Sequence, residues 1–173
     1  MEVSNILAID NDDCLLSVQY KGQRSDEFER LFELWTNADY LYNYFSENIK
    51  LLDTPDARRI WPGMTIEYAV ELTRNDALAM EEHFLELAKL GEISRTNLST
   101  FFEPLSEPDL YVLNLGRNKA KGLSVNSWLR IYAIQLGQNQ FVISGGCIKL
   151  TDKMPEEELK KLKLTKNYLR NRG

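Results

Sequence analysis

The chain has 173 residues, 43% hydrophobic and 27% charged, with a net charge of -5. These values suit one globular domain with a sizeable core, and no apolar run approaches the roughly 20 residues of a membrane helix. A single histidine, His83, rules out a histidine-rich metal centre and, far in sequence from Cys14 and Cys147, argues against a Cys–His nucleophile.

The opening stretch MEVSNILAIDNDD is acidic and lacks the basic start and long apolar run of a signal peptide, so the expected location is the cytoplasm and the expected cysteines are reduced thiols. NILAID (5–10) and CLLSVQY (14–20) read as two short strands around a turn-forming NDD. Ser25 is a candidate N-cap, with Asp26 and Glu27 at the positive end of a helix. Phe28, Leu31, Phe32, Trp35, Leu41 and Phe45 then recur at helical spacing, as one long helix or as two broken near TNAD. Thr65 caps a second long helix, whose apolar face includes Ala69, Ala77, Met80 and Phe84, and Gly91 ends it. STFFEPLSEP (99–108) reads as a linker with aromatic anchors.

Beyond the linker the period changes. LYVLNLG and WLRIYAIQL read as strands around a basic loop, GRNKAKG, and GQNQ turns the chain into FVISGGCIKL. The Gly145–Gly146 doublet there signals a bulge or a close backbone approach. Pro155 and Glu156 to Glu158 open a final helix with many lysines and arginines. The expected fold class is α+β: one domain over 1–173, with an N-terminal hairpin and a C-terminal three-strand meander in an antiparallel sheet. Two long helices and a short last helix pack on one face of it.

Charge divides unevenly along this order. Residues 1–108 hold 9 Lys and Arg against 21 Asp and Glu, whereas 109–173 hold 12 against 5. A basic second half points to a nucleic-acid or other acidic partner. The acidic first half is either a cover for that basic face or simply a solvated outer layer.

The segment VISGGCIKLTDKMPEEELKKLKLTKNYL, with SWLRIYAIQLGQNQFVI before it, resembles the RelE/HigB group of toxins from type II toxin–antitoxin modules. The likeness lies in the ordered string of strand, turn, paired glycines, lysines and a P-x-E-E helix. It implies a RelE-like fold, ribosome-dependent cleavage of mRNA without a metal or other cofactor, and a cognate helix-turn-helix antitoxin as partner. Cleavage by attack of a ribose 2′-hydroxyl needs a proton acceptor and cations for the phosphorane. Arg130, Tyr132, Lys149 and Lys153 are the candidate catalytic residues on this reading, and Arg117, Lys119, Lys121 and Tyr168 the candidate RNA-binding ones. Asp152 departs from the family's lysine-rich loop, and the chain is longer and more acidic than typical members. A non-catalytic protein of the same fold, bound to an acidic partner or nucleic acid, is the alternative.

Overall fold

A computed structural model describes residues 1–10, 12–91, 96–105 and 115–172. Its strands β1 (Val3–Ala8) and β2 (Leu15–Tyr20) form an antiparallel hairpin. A helical stretch follows: α1 (Glu27–Thr36), α2 (Ala38–Glu47), α3 (Ile49–Leu52), α4 (Pro55–Ile60), α5 (Ile66–Leu90) and α6 (Leu98–Phe101). The chain then adds β3 (Glu103–Pro104), β4 (Gly116–Lys121), β5 (Leu129–Gly137) and β6 (Gln140–Ile148), and closes with α7 (Glu156–Arg172).

Local chemistry sets most boundaries. Asp26, rather than Ser25, caps α1: its carboxylate accepts from the Glu29 N–H. Asn37 ends α1 and begins α2, donating its N–H to Leu34 O and accepting from Tyr40 N through its side chain. The apolar run is therefore two helices broken at a capping residue. Thr65 caps α5 by accepting from Tyr68 N, and Gly91 leaves it at a φ of 63°, where glycine carries no Cβ penalty.

The sheet order is β1-β2-β6-β5-β4-β3, and it is mixed. The meander β4-β5-β6 is antiparallel, but β2 runs parallel to β6, pairing Leu15 with Phe141 and Ser17 with Ile143. This corrects the purely antiparallel expectation. The stretch Gly116–Lys121, expected as a loop, is strand β4, while 110–114 of the expected strand LYVLNLG lies outside the described residues.

Helices cover both faces rather than one. On the first face, Leu15, Leu129, Ile131, Phe141 and Ile143 pack with Phe28, Phe32 and Trp35 of α1, Phe45 of α2, and Met80 and Phe84 of α5. On the second face, α7 lies over β5 and β6, with Leu162 against Tyr132 and Ile134, and Leu164 and Tyr168 reach Val3, Val18 and Val142. Each residue alternation of the strands thus meets an apolar helix, as expected of a sheet buried on both sides.

The β2–β6 ladder stops at Ser17–Ile143, and helices from opposite faces meet just beyond it. The buried Glu27 of α1 pairs with the buried Lys161 of α7 at 3.2 Å, and Lys161 also holds Glu158 at 3.2 Å. Arg30 grips Glu27 with two N–H donors at 2.8 and 2.9 Å. Tyr20 donates its hydroxyl to Ser144 O at 2.6 Å beside them. The glycine doublet is explained here. A Cβ on Gly145 would strike the Glu158 carboxylate, and one on Gly146 would strike Arg130 O and Leu31. The register of β6 against β5 shifts at the same place, between Tyr132 and Ala133.

Candidate functional site

Strand β4 presents its side chains alternately. Asn118 and Ala120 are buried, Ala120 in the core shared with α1 and α5, so Arg117, Lys119 and Lys121 face the α7 side. Lys121 stands opposite Arg130 on β5, and Arg130 stands opposite Cys147 on β6. Lys149 follows two residues later and extends the ladder by donating its N–H to Trp128 O at 2.6 Å. The sheet register therefore gathers Lys119, Lys121, Arg130 and Lys149 at one end of β4, β5 and β6.

Arg130 is half-buried, and its Nη1 donates to Ser127 O at 2.6 Å and Leu129 O at 2.8 Å. Those bonds fix the guanidinium at the sheet end. Burial lowers its pKa. Lys149 is also held below the usual lysine range, by burial and by the charges of Arg130 and Lys119. Among the described residues, none of Lys119, Lys121, Arg130 and Lys149 has a carboxylate within ion-pair distance. A second cationic group lies farther along: the charges of Arg170 and Arg117, after burial, depress Lys166.

Arg130 and Lys149 line a cleft of about 410 Å³. Its other wall comes from the first half of the chain: Leu51 of α3, Ala57 and Ile60 of α4, and Trp61 just beyond. Trp61 donates Nε1–H to Asn126 O at 2.9 Å and meets Trp128 edge-on at 5.2 Å, so the indole is anchored at both ends. Thr54, Asp56, Asn126, Ser127, Thr151 and Asp152 supply polar groups around the cleft.

The remaining candidates fall elsewhere. Tyr132 is 1% exposed beneath α7, its hydroxyl 3.8 Å from Cys147 Sγ, and burial drives its pKa far above the ordinary tyrosine value. A ring so covered presents no open face to a nucleobase. The cause is Leu162 of the last helix, seated on the strand face that Tyr132 shares with Arg130. Tyr168 packs on the β1–β2 side of α7, with Arg172 over its ring at 4.5 Å, and does not join the cationic end. Lys153 is exposed in the loop before α7, and Asp152 lines the cleft in its place. His83 stacks edge-on against Phe101 at 4.7 Å.

Neither cysteine forms a disulfide. Burial raises the Cys147 thiol to about 11, so it is a poor nucleophile. Among the described residues, no three His, Cys, Asp or Glu side chains gather as a metal site, and no helix is long and apolar enough to cross a membrane. No protein-family model, curated protein or solved structure matches the chain.

Proposed function

We propose that the protein binds the phosphate backbone of a nucleic acid at the cationic end of β4, β5 and β6. One observation carries this reading: the sheet register brings Lys119, Arg130 and Lys149 to one end of the strands, and among the described residues no carboxylate forms an ion pair with any of them. Keeping cations adjacent costs free energy in the isolated protein, and a phosphate chain relieves that cost. Arginine suits the role through its planar fork, and lysines add point charge. The acidic helices α1, α2 and α5 pack on the other face of the sheet, which favours an outer layer over a cover for the cations. The test is fluorescence anisotropy with a labelled 20-nucleotide RNA. Arg130→Ala and Lys149→Ala are expected to weaken binding about tenfold each, while Lys89→Ala on α5 leaves it unchanged. Equal affinities in all four proteins defeat the reading.

Cleavage of RNA is the second reading, and the depressed Lys149 favours it, because more of this amine is neutral than of a free lysine. Lys149 would take the 2′-hydroxyl proton, and the 2′-oxygen would displace the 5′-oxygen at phosphorus, leaving a 2′,3′-cyclic phosphate. The ammonium would return the proton to the departing oxygen, and Arg130 would hold the charged phosphorane. This agrees with the toxin resemblance and makes Lys149, one of its candidate catalytic residues, the proton acceptor. Induced expression in a bacterium decides it. Growth arrest relieved by Lys149→Ala supports cleavage, and unimpaired growth with intact message removes it.

A further inference from the structure

The cations occupy only one side of the 410 Å³ cleft, and phosphate binding does not account for the opposite wall. That wall presents Leu51, Ala57, Ile60 and Trp61, with Thr54 and Asp56 among them and Leu150 beside Lys149. The cleft falls in the size range of small-molecule sites, in which apolar walls and a few polar groups hold a flat ligand. Trp61 is only partly buried, and its two anchors hold the indole in one place without closing the cleft over it. The carbonyl of Asn126 is already occupied by Trp61, but the side chains of Asn126, Thr54 and Asp152 line the same space and can meet a base edge.

We infer that the cleft seats one unstacked nucleobase against Trp61 while Arg130 and Lys149 hold its flanking phosphates, so that the partner is single-stranded. The inference rests on the phosphate-binding reading and narrows it. A duplex keeps its bases stacked and paired, and presents only phosphates and groove edges to such an edge-on site. A single strand can place one base in the cleft at little cost, and an aromatic wall accepts any of the four bases. The wall comes from α3, α4 and the residues after them, inside the acidic first half, which gives that half a part in binding.

The wild-type chain is tested with three ligands of equal length: a single-stranded oligonucleotide, the corresponding duplex, and a sugar–phosphate chain without bases. Tryptophan fluorescence and competition titrations are read together. The single strand is expected to bind about tenfold more tightly than either other ligand and to quench indole emission. Trp61→Phe should retain most of that preference and Trp61→Ala should lose it. Equal affinity for the base-free chain, or for the duplex, overturns the inference while phosphate binding stands. Binding to none of the three overturns both. Equally effective competition by a polyglutamate of matching charge also overturns it, and marks the cleft as a site for an acidic protein. The comparison of ligands on the wild-type chain needs no substitution, so a Trp61→Ala protein that fails to fold leaves the decision intact.

Discussion

Glu158 is a carboxylate whose surroundings oppose its charge. It is buried, one carboxylate oxygen finds no hydrogen-bond partner among the described residues, and burial raises its pKa to about 7 despite the neighbouring Lys161. The folded state thus holds a proton between the ordinary carboxylate value of 4.5 and about 7 that the unfolded chain has released. Stability from this group is greatest below that window and falls as pH rises through it. Glu27 shifts the other way: burial would raise it, but the hydrogen bonds from Arg30 and the charge of Lys161 hold it below the usual range, so it stays ionised throughout the window. Urea unfolding at pH 5 and pH 8 should show the wild type losing stability with the rise. Glu158→Gln should flatten that slope, and an unchanged slope would separate Glu158 from it. The toxin resemblance singled out Arg130 and Lys149, and the sheet register brings them to one end of the strands. The burial of Tyr132 was not legible, because alternation assigns it the face of Arg130 but says nothing of which helix covers that face.

At the scale of elements, the join between α1 and α7 was the least legible feature. Its ion pair links residues 134 apart in sequence, Glu27 and Lys161, and no local pattern announces such a contact. Lys161 reads as one more cation on a lysine-rich helix, yet it is 3% exposed. Removing one partner of a buried ionic group strands the others, at about 3–5 kcal/mol. Lys161→Ala should therefore destabilise by about 3 kcal/mol in urea unfolding, against less than 1 kcal/mol for the neighbouring exposed Lys160→Ala. Similar small losses in both would show that solvent reaches the join. The glycine doublet was readable as a close approach, although its neighbours were not. Gly145→Ala should cost about 1–3 kcal/mol, because the new methyl group collides with Glu158. A thermal melt matching the wild type would contradict that geometry. Periodicity marked α1, α2 and α5, and Thr65 and Gly91 marked the ends of α5, whereas the caps Asp26 and Asn37 were not read from the sequence. Strand β4 was missed because GRNKAKG is too polar to read as a strand, and its pairing with β5 supplies what its composition does not.

For the whole molecule, the charge division along the chain was the most informative signal, and it maps onto space. The acidic helices lie largely on one face of the sheet, and the basic strand ends and α7 lie on the other. The α+β class followed from the order of elements, whereas the parallel β2–β6 pair did not, because it joins segments more than a hundred residues apart. The cleft escaped the sequence for the same reason, since its aromatic wall and its cations come from opposite halves of the chain. The most direct measurement of the central claim is the salt dependence of RNA binding. Three or four phosphates neutralised by Lys119, Lys121, Arg130 and Lys149 predict that log K falls against log salt with a slope of about -2 to -3, and that Arg130→Ala reduces the slope by about 0.7. A slope near zero, or one that Arg130→Ala leaves unchanged, would contradict it.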